Sequence, residues 1–226
     1  MMPCVSSSAA EHPWRVVVPV RGGPAGKSRL EGVEGLRLTD AQRADLALAM
    51  AQDTLTAAVA AARGPVAVLT AAEEVARVAR AAGAEVLRDS GRGLNTELAR
   101  VALDTDAALG LCVLLGDLPA LRPEDLGTAL DLVRHASAPG IVVPDWEGTG
   151  TTMLALAPGD ATPELFRFGP GSASRHRRAG LTPAGHDIAR LRCDVDTAAA
   201  WDRALRLGLG AATALARRRL LRLGSG

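Results

Sequence analysis

Leu111-Cys112-Val113-Leu114-Leu115-Gly116-Asp117-Leu118-Pro119 is a five-residue apolar run that stops abruptly on Gly-Asp. A short run with no polar alternation reads as a strand covered on both faces, the usual state of strands in parallel sheets. Upstream, Arg15-Val16-Val17-Val18-Pro19-Val20 has the same character, and Val66–Leu69 and Glu85–Arg88 supply two more expected strands. Downstream, Ile141–Val143, Met153–Leu156 and Leu191–Cys193 complete the set.

Helix signals fall between these runs. Thr39-Asp40-Ala41-Gln42 is a capping box that opens a helix to about Ala62. Thr70 with Glu73 predicts a second helix through Ala82, closed by Gly83. A third runs from about Leu94 to Leu109, and Pro123 stands at the first position of a fourth. Ser172 is expected to cap a helix ended by Gly180, Thr197 one that starts at Ala198, and Ala211–Leu223 forms a terminal helix. The long stretch Arg21–Leu38 reads as a loop. Alternating strands and helices predict a single-domain α/β fold, a mainly parallel twisted sheet with helices on both faces. The expected domain is 15–226, preceded by a flexible leader at 1–14.

Composition narrows the function. Apolar residues make up 48% of 226, enough for one sizeable core. The formal charge is +1, from 26 basic and 25 acidic residues, which argues against a general nucleic-acid binder. With no Tyr and two Phe, no stacking platform for single strands is visible. Cys4, Cys112 and Cys193 are widely spaced, so neither a disulfide framework nor a zinc site is suggested. Met1–Trp14 lacks a basic region followed by an apolar run, and no strand-like run could span a bilayer, so the expected location is the cytoplasm.

In sheets of this kind, ligands bind beyond the carboxyl ends of the strands. The segment Gly22-Gly23-Pro24-Ala25-Gly26-Lys27-Ser28-Arg29 falls there, yet it is not a phosphate-binding P-loop, because Arg21 occupies the first glycine position. What remains is a Gly-rich loop with three cations, Arg21, Lys27 and Arg29. Asp117 ends the run quoted first and is placed to hold a divalent cation against a phosphate, although an Asp in such a turn also caps its own backbone. Asp194-Val195-Asp196-Thr197 puts two carboxylates on one side of an extended chain, or else caps the last helices. Gly148-Thr149-Gly150-Thr151-Thr152 offers hydroxyls and backbone N–H groups to an anion, or is a plain turn. Phe168-Gly169-Pro170-Gly171-Ser172 leads into a basic helix in which His176 reads as a surface residue.

In chain order, Val18-Pro19-Val20 with Lys27-Ser28-Arg29-Leu30, Gly116-Asp117-Leu118-Pro119-Ala120-Leu121, Gly148–Thr152, Phe168-Gly169 with Ser172 and His176, and Asp194–Thr197 form a pattern. It resembles the 2-phospho-L-lactate / phosphoenolpyruvate guanylyltransferases of deazaflavin coenzyme biosynthesis, over roughly Arg15 to Leu207. The resemblance implies a glycosyltransferase-A-like nucleotidyltransferase fold and a Mg²⁺-dependent transfer of GMP from GTP to phosphoenolpyruvate or 2-phospho-L-lactate, releasing pyrophosphate. By position, Asp117 and Asp196 look like metal ligands, with Asp194 the substitute for the latter. The resemblance further implies that Lys27 and Asp117 carry the catalysis and that Arg21, Lys27, Arg29 and Gly116 hold the nucleotide. Thr152, Gly169 and Ser172 look like contacts to the phosphorylated acid. Expected partners are the two substrates, a second copy in a homodimer, and the next enzyme of the pathway. Two readings compete: a nucleotidyltransferase for a sugar phosphate or molybdopterin, whose LxxGxxxR loop fits Val20–Leu30 poorly, and a non-catalytic nucleotide-binding module, against which both Asp117 and Asp196 count.

Overall fold

Along strand β1 (Trp14–Pro19) the valines alternate between two cores: Val16 and Val18 face one, Val17 the other, and all three are fully buried. Each such side chain stabilises the fold by roughly 1.5–3 kcal/mol relative to an exposed one, which is why continuous apolar runs mark the centre of the sheet. The computed structural model describes residues 13–22, 30, 32–136 and 139–224. After β1 come β2 (Gly32–Val33), β3 (Leu36–Arg37), α1 (Asp40–Ala61), β4 (Val66–Thr70), α2 (Glu73–Ala81), β5 (Glu85–Arg88), α3 (Leu94–Leu103) and β6 (Gly110–Leu114). The remainder is α4 (Pro123–Leu132), β7 (Gly140–Pro144), β8 (Thr151–Leu156), α5 (Ser172–Arg178), β9 (Thr182–Pro183), α6 (Ala198–Leu207) and α7 (Ala211–Gly224).

Seven strands form one sheet in the order β5-β4-β1-β6-β8-β7-β9. Pairs β1–β4, β1–β6, β4–β5 and β7–β9 are parallel. Only β8 runs the other way, antiparallel to both β6 and β7. The chain steps outward from β1 to β4 and β5, then returns to place β6 on β1's other side. Binding crevices form where strand order reverses in this manner. Here the crevice lies at the carboxyl ends of β1 and β6.

A third cluster sits beside the sheet. The β2–β3 hairpin, α6 and α7 contribute Val33, Trp201 and Leu220 to a core that includes Leu46 and Met50 of α1 and, from an irregular segment, Cys193 and Val195. Asp53 of α1 accepts hydrogen bonds from Ala212 N (2.9 Å) and Thr213 N (2.8 Å), so a side chain from one helix caps the start of another.

Several local expectations are corrected. Leu191–Cys193 forms a turn rather than a strand, and the short β9 takes the sheet edge instead. Part of the expected loop 21–38 is the β2–β3 hairpin. Helix α3 stops at Leu103, before a turn in which Asp106 accepts from Ala108 N. The N-cap of α2 is Ala72, because the Thr70 hydroxyl accepts from Ala72 N instead of capping the helix. Ser172 is the first residue of α5, and Gly171, at φ +70°, is its N-cap. The capping box of Thr39 and Gln42 and the Thr197 cap of α6 form as read.

Candidate active site

Asp117 follows the end of β6, held by two neighbours that fix its turn. Thr54 of α1, fully buried, accepts a hydrogen bond from Leu118 N at 3.2 Å and donates to Met50 O at 3.0 Å. Val195 N donates to the Asp117 carbonyl at 3.0 Å, which brings the 193–196 segment alongside. In that segment Cys193 and Val195 are buried in the third core. On an extended backbone the residues that alternate with these two, Asp194 and Asp196, face the other way. Asp194 and Asp196 therefore turn toward Asp117, and carboxylate oxygens of the three lie within 4.8 Å of one another.

Such crowding has an electrostatic signature. Burial first, then the negative charges of Asp117, Asp196 and Asp145, push the Asp194 carboxyl up to about 8. Hard oxygen donors converging at the carboxyl end of β6 suit Mg²⁺, which takes one or two carboxylates from the protein, so two of the three can ligate it with the rest of its shell left to phosphates and water. The donor set fits that ion.

A cleft of about 220 Å³ opens beside the triad, lined by Pro19, Val20, Leu69, Leu94 and Leu115 together with Arg21, Asp89, Gly116 and Asp117. Gly116 is required there by close approach: a Cβ would lie 2.6 Å from Val20 Cγ2. Arg21 is exposed at the same edge. Lys27 and Arg29 lie outside the described residues.

On the other flank stand the loops before β8 and α5. Asp145, which the sequence reading passed over, accepts from Thr149 N (2.8 Å) and Gly150 N (2.7 Å). Those two amides, expected to be open to an anion, are thus already bonded. Arg192 binds the carbonyls of Pro144, Asp145, Trp146 and His186 at 2.9–3.2 Å, pinning this loop beside Asp194. Thr152 is fully buried, its hydroxyl 3.4 Å from Val143 O, and its carbonyl accepts from Leu115 N at 2.9 Å. Gly169 has φ +117°, a conformation that favours glycine. Ser172 is buried, and its hydroxyl donates to Thr151 Oγ1 at 3.0 Å.

His176 is a core residue, not a surface one. Its Nε2 accepts from Arg167 N at 3.1 Å, so Nδ1 carries the proton and donates to Thr151 Oγ1 at 2.9 Å. Burial, then the nearby charges of Arg175 and Arg167, lower its pKa to about 4. Cys112 and Cys193 are buried, and burial raises both thiols, so neither is a ready nucleophile.

Comparison with known proteins decides the family. Residues 14–199 match the family described as guanylyl transferase CofC like. The chain belongs to the CofC-like guanylyl transferases. Among its relatives in this family, the phosphoenolpyruvate guanylyltransferase of Streptomyces avermitilis is 41% identical over 214 residues, covering 92% of this chain and 95% of that protein. The protein of the same name from Salinispora arenicola is 42% identical over 204 residues, covering 89% and 92%. In fold, the CofC-like chain is similar to a Desulfovibrio desulfuricans structure described as a nucleotide-diphospho-sugar transferase, with TM-score 0.66 and 17% identity over 92% of this chain and 96% of that one. The expected nucleotidyltransferase fold and family are both shown. No described helix is long and apolar enough to cross a membrane.

Proposed function

We propose that the protein is a phosphoenolpyruvate guanylyltransferase, joining GMP from GTP to the phosphate of phosphoenolpyruvate and releasing pyrophosphate, as a step toward the deazaflavin coenzyme. The observation that carries this reading is the carboxylate triad Asp117, Asp194 and Asp196, gathered within 4.8 Å at the mouth of a cleft. The names of relatives at about 40% identity supply the acceptor.

In the reaction, a phosphate oxygen of the acid attacks the α-phosphorus of GTP, and the bond to the β-phosphate oxygen breaks. A phosphate monoester has its second ionisation near pH ~6, so the attacking group arrives charged and needs no strong base on the protein. What the protein must supply is alignment of two polyanions. Mg²⁺ held by Asp117 and Asp196, with Asp194 beside them, would offset the charge of the triphosphate. Arg21 at the cleft mouth adds a cation, and Lys27 and Arg29 follow it in the chain. Gly116 lets the turn that carries Asp117 pack against Val20 at the cleft wall. On the opposite flank, Thr152, Gly169 and Ser172 shape the acceptor side, with Thr151 and His176 holding Ser172 in place.

The test is pyrophosphate release from each of the four nucleoside triphosphates with phosphoenolpyruvate, 2-phospholactate or 3-phosphoglycerate as acceptor. Turnover with GTP and phosphoenolpyruvate alone is expected. A clear preference for another acid or for a sugar phosphate sinks the reading.

A further inference from the structure

The cleft has apolar walls and, among the described residues that line it, one acidic group away from the triad, Asp89. Pro19, Val20, Leu69, Leu94 and Leu115 form surfaces against which a flat heterocycle can lie. Asp89 closes the far end, just past β5. Asp89 and Asp117 follow strands three places apart in the sheet, a separation of about 14 Å at the usual strand spacing. That is the scale of a base, a ribose and a phosphate laid in a row.

We infer that Asp89 is the residue that selects guanine, its carboxylate accepting from the N1–H and the 2-amino group of the base. The inference rests on the guanylyl-transfer reading and names the base-recognising group within that site.

The chemistry discriminates strongly. Guanine presents two adjacent N–H donors on one edge, and a carboxylate accepts two parallel donors well. Adenine and cytosine place a ring nitrogen lone pair there, facing a negative charge. Uracil offers one donor between two carbonyl oxygens. A site built around hydrogen bonds rejects an analogue lacking them far more sharply than an apolar pocket does.

Asp89 is also held for the task. Its backbone N donates to Thr70 O at 3.0 Å, and Gly91 N donates to its Oδ1 at 2.8 Å. Each carboxylate oxygen has two lone pairs, so the Gly91 bond orients the group and leaves capacity for the base. The loop beyond is fixed by the Ser90 hydroxyl, which donates to the buried Glu97, and by Arg92 Nε, which donates to Ser90 Oγ at 2.9 Å.

The experiment compares GTP, ITP and XTP with phosphoenolpyruvate in wild type, Asp89→Ala and Asp89→Asn. ITP lacks the 2-amino group, and wild type should use it roughly 10-fold or more less efficiently than GTP by kcat/KM. In Asp89→Ala, GTP efficiency should fall by about 10²-fold and the GTP-to-ITP ratio should collapse toward one, with the KM of the acid unchanged. Asp89→Asn should gain activity on XTP, whose 2-carbonyl can accept from the new amide, and a gain cannot arise from misfolding. A wild-type GTP-to-ITP ratio retained in Asp89→Ala, or loss of GTP use in Asp89→Asn without any gain on XTP, overturns the assignment. Calorimetric binding of GDP, IDP and XDP repeats the comparison without turnover. It therefore still judges Asp89 if phosphoenolpyruvate proves not to be the acceptor.

Discussion

Three carboxyl groups within 4.8 Å crowd negative charge that only a cation or a proton, as on Asp194 with its raised pKa, can relieve. Asp117→Asn removes one of the three, so without metal this variant should be as stable as wild type or more so. Its GTP-dependent pyrophosphate release should nonetheless fall by at least about 10³-fold, as expected when a transition-state charge clamp is lost. Chemical denaturation and turnover measured on the same samples check both halves; retained turnover would remove Asp117 from the metal site. His176 yields a pH prediction. Its folded pKa is depressed to about 4 from 6.5, so the unfolded chain takes up a proton first as pH falls. The stabilisation is full above pH ~6.5 and is lost progressively toward pH ~4, about 2 kcal/mol of it by pH 5. Urea unfolding at pH 7 and pH 5 should show His176→Phe losing that much less stability between the two pH values than wild type does.

Adjacent residues at the middle of α1 serve two distant elements. Asp53 caps α7, and Thr54 secures the turn that carries Asp117. Thr54→Val keeps the shape but leaves Leu118 N without its acceptor, a cost of about 1–3 kcal/mol for a buried group. Thermal unfolding should register that loss, and metal affinity should weaken although no ligand is changed. Nothing in the sequence marks Thr54, because a polar residue inside a helix usually points to solvent or bonds its own preceding turn. By contrast, the capping box at Thr39 and the run from Leu111 to Leu115 were legible, since both depend on near neighbours alone. Asp194 and Asp196 were legible as a pair through their spacing, even though the strand expected before them is a turn. Their common direction comes from Cys193 and Val195, which are buried on the opposite side. Asp145 and Asp89 were not legible, because each acquires its role through loops and strands remote in sequence. The same is true of His176, whose basic surroundings suggested solvent while its ring is enclosed by Thr151, Arg167 and Phe168.

For the molecule as a whole, Mg²⁺ should raise Tm, because ligands that bind only the folded state stabilise it by mass action. At about 100 times its Kd the gain is about 2.7 kcal/mol, or roughly 5–10 °C for a chain of this size. The shift should vanish with chelator and in Asp117→Asn, and an equal shift in that variant would place the ion elsewhere. The reversed direction of β8 has a kinetic corollary. Because β8 starts where β6 ends, Thr151 and Thr152 open β8 on one side of the strand that carries Asp117, while the cleft lies on its other side, toward β1. On the proposed reading, GTP in the cleft and the acid on the β8 side would approach the triad from different flanks, so neither would have to depart before its counterpart enters. Initial-rate plots against both substrates should accordingly intersect rather than run parallel.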